Sequence, residues 1–406
     1  MAVVANTVPA HAVESVPGET FDSIRAWLLE RNPELDAMAL EVDAAFERIY
    51  PAGALPDPMG MVELRDIDAD RPRLLPGQVG ATYYQVRQRF PLWGKRQLER
   101  DTASAMAETA RQHRAGRTLD LLGEAESAYV RYWHVDQAVA EVDRIIAVLN
   151  DLDALAQARY AAGLAPQQDA IKAQVERTAM RRERIERLTV RRQTASRLNA
   201  LLGRAPDAPL ATPLERPELH VAATTEVALA AAVERHPAIA AEASTIAAAT
   251  SREERVRRNR YPDLTIGLAP VQRGTRLHGW EIMVEVDIPL QRRTRRHQES
   301  EARLLREAAL RRRESVASTL LGEAGEALAH WRGARDQRAL IEGTLLAQAE
   351  ASFRSALAGY QTGAVDFTTV LEALRQWRDA GLAQLDSLRD ELLAAARLRA
   401  LTGDRP

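Results

Sequence analysis

The chain has 406 residues, 55 Lys and Arg against 57 Asp and Glu, and a formal net charge of −2. No excess positive field exists to gather phosphates, which excludes a strongly basic nucleic-acid binder. The 46% hydrophobic content excludes long disorder, and the absence of cysteine excludes disulfides, thiolate metal sites, cysteine nucleophiles and a lipidated Cys.

Residues 1–19 form an N-terminal segment in which Ala10-His11-Ala12 matches an A-x-A cleavage pattern. It lacks a basic start and a full apolar stretch, so it reads either as an Ala-rich tail or as a signal remnant. A helical segment follows from Thr20 to Tyr50, ended by Pro51, Pro56 and Pro58. Extended runs are predicted at Met59–Ile67 and Thr82–Phe90, separated by a turn-rich stretch with Pro72, Pro76, Gly77 and Gly80. From Gly94 a very long helix runs to the Gly163–Pro166 break, and another continues to about Leu202. Pro206, Pro209, Pro213 and Pro217 mark a linker, 204–223. Then come a helix Glu226–Arg260, strands Asp263–Val271 and Trp280–Ile288, a long helix Thr294–Leu357, a turn, and a helix Phe367–Leu401. The most apolar run, Pro237–Thr250, is short and carries Glu242, so no transmembrane helix is expected. A transmembrane β-barrel stays open, because alternating strands raise no hydropathy window.

This order is written twice. Asn32-Pro33-Glu34-Leu35 recurs as His236-Pro237-Ala238-Ile239, and Phe90-Pro91-Leu92 as Ile288-Pro289-Leu290. Tyr132-Trp133 recurs as His330-Trp331, Tyr160-Ala161-Ala162-Gly163 as Tyr360-Gln361-Thr362-Gly363, and Leu201-Leu202-Gly203 as Leu401-Thr402-Gly403. Five landmarks at a spacing of roughly 200 residues define a tandem duplication, with repeats at 20–203 and 224–403.

A helix of about 60 residues reaches about 90 Å and cannot cross a compact domain; it must pack sideways. Leu119, Leu122, Ala125, Tyr129, Tyr132, Val139, Val142, Ile145, Ile146, Leu149, Leu152 and Leu155 supply a coiled-coil-like stripe. On one reading this is a soluble helical scaffold with small hairpins. On the other, several copies of the chain close a barrel. In Trp280–Ile288 the positions Trp280, Ile282, Val284, Val286 and Ile288 share one face, and Glu281, Met283, Glu285 and Asp287 the other. In the first repeat Tyr84, Val86 and Phe90 oppose Arg87 and Arg89 in the same way. The apolar set suits a lipid-facing wall and the charged set a wet lumen.

The duplicated Asn-Pro-Glu-Leu and His-Pro-Ala-Ile starts, the Phe-Pro-Leu-Trp-Gly-Lys-Arg stretch at 90–96, and the Tyr-Ala-Ala-Gly-Leu and Tyr-Gln-Thr-Gly-Ala turns at 160–164 and 360–364 carry a resemblance. As an ordered set they resemble the TolC family of outer-membrane efflux proteins over nearly the whole chain, and the 90–96 stretch is similar to its heavy-metal branch, CzcC and CusC. The resemblance implies a mainly helical protomer with a small β part. Three such protomers make a 12-stranded outer-membrane β-barrel continued by a long α-helical barrel across the periplasm. It implies a passive exit duct, not an enzyme, with no cofactor. Its implied partners are two further copies, outer-membrane lipid, a periplasmic adaptor and an inner-membrane RND-type pump, and its implied cargo is heavy-metal cations, with drugs or other small molecules as the alternative. The family's adaptor-docking tips fall on Gly163, Leu164 and Ala165 and on Gly363, Ala364 and Val365. Asp169, Asp366 and Glu372 are the candidates for its acidic periplasmic gate; each also suits an ordinary helix-start carboxylate.

No chemistry-bearing motif competes. The histidines at 11, 113, 134, 220, 236, 278, 297 and 330 form no i,i+4 pair. No P-loop, GxSxG or nucleotide fingerprint is present. Met59 and Met61 could touch a soft metal or simply pack a strand.

Overall fold

A computed structural model describes residues 16–70, 72–217, 221 and 225–403. The A-x-A pattern, His11, His220 and part of the linker lie outside them. The first repeat contains α1 (Phe21–Arg31), α2 (Pro33–Glu47), α3 (Ile49–Ala52), β1 (Met59–Arg65), β2 (Ala81–Phe90), α4 (Lys95–Ala161) and α5 (Gln167–Leu201). The second contains α6 (Glu226–Val233), α7 (Pro237–Arg258), β3 (Leu264–Arg273), β4 (Arg276–Val286), α8 (Arg292–Leu340), a π-helical turn (Ile341–Leu345), α9 (Leu346–Thr362) and α10 (Phe367–Thr402).

Three expected elements are divided. The Thr20–Tyr50 helix breaks before Pro33, whose ring removes a backbone donor, and again at Arg48. The Glu226–Arg260 helix breaks before Pro237 for the same reason. The long helix after β4 is interrupted by the π turn, in which Gly343 sits; periodicity does not register one extra residue. β4 also ends at Val286, so Asp287 and Ile288 lie beyond the strand on which the alternation placed them.

Two compact units cut across the repeats. One comprises residues 1–36, 117–236 and 319–406; the other, residues 37–116 and 237–318. In the first, the predicted α4 stripe is the core. Leu122, Ala125, Tyr129, Tyr132, Val142, Ile145, Leu149 and Leu152 are buried, and Leu119, Val139, Ile146 and Leu155 half-buried. One cluster joins the end of α4 to α5, α9 and α10 through Leu149, Met180, Phe353 and Phe367. Another joins α1, α4 and the end of α5 through Ile24, Leu28, Tyr129 and Leu198.

The repeated landmarks turn out to be fasteners. Buried Asn32 accepts from the Glu34 and Leu35 amides with its Oδ1, capping α2, and donates from Nδ2 to the Leu201 carbonyl at 2.9 Å. Gly203, at φ +68°, ends α5 against Pro33; a Cβ there would lie 3.0 Å from the proline Cδ. In the second repeat His236 takes the place of Asn32 and bonds the backbone of Ala400, three residues before Gly403 at φ +69°. Each repeat thus ties its start to its own end.

Charges are buried among the helices in pairs. Arg399 donates two hydrogen bonds to Glu126, and both residues are almost fully buried. Arg338 is paired with buried Glu391, and Arg177 with buried Asp153 at 2.9 Å. Removing one member of such a pair strands the other charge, whereas removing both does not. Glu126→Leu is therefore expected to destabilise the protein by about 3 kcal/mol, and Glu126→Leu with Arg399→Leu to recover most of that, as read by thermal unfolding.

His134 on α4 is buried and donates from Nε2 to Asp386 of α10 at 2.9 Å. Burial, with Arg389 nearby and Arg187 adding to it, depresses its pKa below the ordinary 6.5, against the pull of Asp386. The unfolded chain takes up this proton more readily, so the stability tied to neutral His134 is complete above about 6.5 and is lost as pH falls through the folded value. A melting-temperature series from pH 8 to 5 is expected to decline in the acid range, and His134→Gln to flatten part of that decline.

Candidate functional site: an exposed sheet, its junction with the helices, and two helical tips

The four strands form one antiparallel sheet in the order β1-β2-β3-β4. Directly opposed residues share a face. Val62 opposes Tyr84, Val86 opposes Leu268, Leu268 opposes Ile282, and Ile266 opposes Val284. The alternation read from β2 and β4 thus belongs to one continuous apolar face, to which β1 and β3 add Val62, Leu64, Leu264, Ile266 and Leu268. This face is open: Trp280 is 63% exposed, Ile282 71% and Val284 63%. Neither Trp280 nor Ile282 is covered by the chain's own helices.

The opposite face carries Arg87, Arg89, Glu281 and Glu285 with Gln85, Met61 and Met283. Gln85 donates to the Met283 sulfur at 3.4 Å, and Arg87 approaches that of Met61 at 3.9 Å. Gly267 makes this packing possible: a Cβ there would meet Gln85 at 2.9 Å and Arg87 at 3.1 Å. Each of β1 and β4 has one strand partner among the described residues, leaving two free edges.

The Phe-Pro-Leu-Trp-Gly-Lys-Arg stretch is the hinge from β2 into α4. Trp93 and Gly94 both take the left-handed conformation, at φ +62° and +71°. That reversal aims Lys95 into the protein, where its Nζ, almost fully buried, donates to the Tyr261 carbonyl at 2.9 Å and to Asp263 at 2.8 Å. Asp263 also accepts from Arg89 at 3.0 Å and from the Leu92 amide. The Trp93 indole donates to the Pro262 carbonyl at 2.8 Å, and its ring lies 5.1 Å from that of Tyr261. One carboxylate therefore joins the exit of β2 to the entry of β3. An open cleft of about 680 Å³ beside it is lined by Arg89, Lys95, Arg96, Arg255 and Arg295 with Glu99, Asp263 and Asp287. Sequence reading did not find Asp263; its signal was its place immediately before a strand, opposite a motif lysine in the other repeat.

The two helical turns are near copies. Gly163 at φ +70° and Gly363 at φ +80° end α4 and α9. The Leu164 amide donates to the Arg159 carbonyl at 2.8 Å, and the Ala364 amide to that of Gly359 at 2.8 Å, the six-to-one bond of a Schellman ending. Leu164 is 66% exposed; Gly163, Gly363 and Ala364 are exposed, while Ala165 and Val365 are half-buried. Val365 packs onto Gly359, where a Cβ would lie 3.0 Å away.

The turns are bound together. Arg159 donates to the Gln361 carbonyl at 2.6 Å and sits 4.9 Å over the Tyr360 ring. The Tyr360 hydroxyl donates to Asp169 at 3.0 Å, and burial, then this carboxylate, pushes its pKa up to about 12. Farther along, Arg375 donates to both oxygens of Glu176, holding that carboxyl below its ordinary range.

The three gate candidates part company here. Asp169 is buried and engaged by Tyr360. Asp366 is exposed but caps α10, accepting from the amide and hydroxyl of Thr369, which lowers its pKa. Glu372, six residues on, is exposed. Among the described residues no group of three or more His, Asp or Glu could hold a metal, and no helix is long and apolar enough to cross a membrane.

Comparison with known proteins converges on one class. Residues 228–404, most of the second repeat, match the family described as outer membrane efflux protein. The whole fold is that of outer-membrane channels of solved structure. It is similar to the outer-membrane channel OprN (TM-score 0.81, 16% identity, 97% of this chain and 94% of that one). It is similar to CusC, a transmembrane channel (0.79, 15%, 95% and 92%), and to the open state of the MtrE outer membrane channel of Neisseria gonorrhoeae (0.77, 15%, 98% and 95%). No curated protein matches the sequence. The matched family and the channels OprN and MtrE are all described as proteins of the outer membrane.

Lys95→Met removes one of the cations that hold Asp263 and leaves Arg89 and the Leu92 amide. A loss of about 2 kcal/mol is expected, read as a lower melting temperature in detergent, with Asp263→Asn non-additive to it in a double-mutant cycle.

Proposed function

We propose that the chain is one protomer of a homotrimeric outer-membrane efflux duct, a passive channel and not an enzyme. The observation that carries this reading is the open apolar face of a sheet whose two edges are free. In water such a face draws non-specific association, and free edges invite pairing with another chain. Lipid on the face and a neighbour's strand on each edge satisfy both at once. Strands of 10 or 11 residues in β2, β3 and β4 suit a membrane-spanning barrel wall, and three copies of four strands give 12, an even number as such barrels require. Tyr84, Val86, Phe90, Trp280, Ile282, Val284, Val286 and the adjoining Ile288 then meet lipid. Arg87, Arg89, Glu281, Glu285 and the adjoining Asp287 meet the lumen.

The helical turns are the proposed docking points for the hairpins of a periplasmic adaptor, which would link the duct to an inner-membrane RND-type pump. Gly163, Leu164 and Ala165, and Gly363, Ala364 and Val365, offer small or exposed side chains beside a helix end. The acidic gate is proposed at Glu372, with Asp366 beside it. Asp169 does not share this role, because its carboxylate is spent on Tyr360 inside the protomer. Three symmetry-related carboxylates at a constriction favour cations. Heavy-metal cations are the proposed cargo, on the resemblance of residues 90–96 to that branch.

Purified protein is expected to need detergent, to run as a trimer by native mass spectrometry, and to conduct ions across a planar bilayer. A monomer stable in plain buffer overturns the proposal. Glu372→Gln is expected to lower cation-over-anion permeability several-fold without altering the trimer. For the cargo, a strain lacking the protein is expected to become sensitive to divalent heavy-metal salts; sensitivity to organic drugs alone selects the other substrate class.

A further inference from the structure

At the end of the sheet where the chain enters and leaves its helices, exposed arginines lie next to the open apolar face. Three segments meet there, because Phe90 and Val286 both pair with Leu264. Residues 89–100, 255–263 and 287–297 each carry four Lys or Arg against a single Asp or Glu, in a chain whose overall charge is nearly balanced. The loops at the other end mix signs, with Asp66, Asp68 and Asp70 against Arg73, Arg273 and Arg276.

Several of these cations are engaged inward: Lys95 and Arg89 hold Asp263, and Arg255 pairs with Glu99 at 2.7 Å. Arg260, Arg292, Arg293 and Arg296 are exposed. Arg260 lies 5.6 Å over the Tyr261 ring, and Tyr261 packs at a tilt of 32° against Trp93. Trp93 is 51% exposed, and Ile288 and Leu290, which lead from β4 to Arg292, are 71% and 78% exposed. Apolar wall, amphipathic aromatic and arginine thus follow one another over a few residues. Aromatic rings of this kind favour a membrane–water boundary, and clustered arginines beside one favour anionic headgroups.

We propose that this girdle binds the phosphates of anionic phospholipids at the periplasm-facing boundary of the membrane. The inference rests on the outer-membrane reading above. Arg260, Arg292, Arg293 and Arg296 are its contacts, with Trp93 and Tyr261 fixing their depth. Guanidinium groups present paired N–H donors that match phosphate oxygens.

The test compares spin-labelled phosphatidylglycerol with spin-labelled phosphatidylcholine around the intact protein, reconstituted in phosphatidylcholine bilayers at low salt. The wild type is expected to favour phosphatidylglycerol about tenfold. The variant carrying Arg260→Gln, Arg292→Gln, Arg293→Gln and Arg296→Gln is expected to lose that preference while keeping its conductance. Should the variant fail to fold, the wild type in 1 M salt supplies the readout: the preference is expected to collapse as charge is screened. Insertion without any headgroup preference, or a preference that survives both the substitutions and the salt, overturns this inference alone. Insertion into no bilayer overturns it together with the channel reading.

Discussion

An apolar sheet face that its own chain does not cover is the constraint behind the rest of the structure. Burying apolar surface is worth roughly 25 cal/mol per Å², and Trp280, Ile282 and Val284 forgo most of that within one protomer. Backbone groups along the outer edges of β1 and β4 likewise lack strand partners among the described residues. A soluble sheet would lay a helix across such a face. Here the helices depart from its end instead, and the hinge that sends β2 into α4 is built with unusual care. Two consecutive left-handed residues, a buried lysine and a shared aspartate fix that departure.

The helical unit has a different problem, which is to keep long, Ala-rich helices in register. Shallow contacts slide easily, and small side chains resist sliding poorly. Polar ties within the packing supply the register. Arg399 with Glu126, Arg338 with Glu391 and His134 with Asp386 each join residues far apart in sequence. Such ties add little net stability, but each is satisfied in a single alignment of the helices. The Asn32 and Gly203 fastening does the same at the ends of a repeat.

Much of this was legible in the sequence. The element order, the α4 stripe and the two-faced strands follow from spacing alone. The 160–164 and 360–364 turns follow from glycine where a helix must end. What was not legible depends on partners distant in the chain. Nothing near Asp263 announces that Lys95 will reach it. Nothing near Asp169 distinguishes a solvated carboxylate from one held by Tyr360. β3 was expected only as a strand, and its share of the apolar face emerges when register sets Leu268 between Val86 and Ile282. The π turn escaped because one additional residue leaves a hydrophobic period almost undisturbed over so long a run.

That additional residue has a consequence for geometry. At 3.6 residues per turn, one residue of slack rotates everything after it by about 100°. Trp331 and Ala334 before the turn, and Ala349 and Phe353 after it, keep one phase in the written sequence. In space the two stretches are therefore turned by about 100°, while α10 runs beside both: Arg338 before the turn pairs with Glu391, and Phe353 after it stacks 5.3 Å from Trp377. The π turn takes up its surplus residue locally, so excising one residue from it would restore a plain α-helix and leave Phe353 and Tyr360 in the cluster they complete with Phe367.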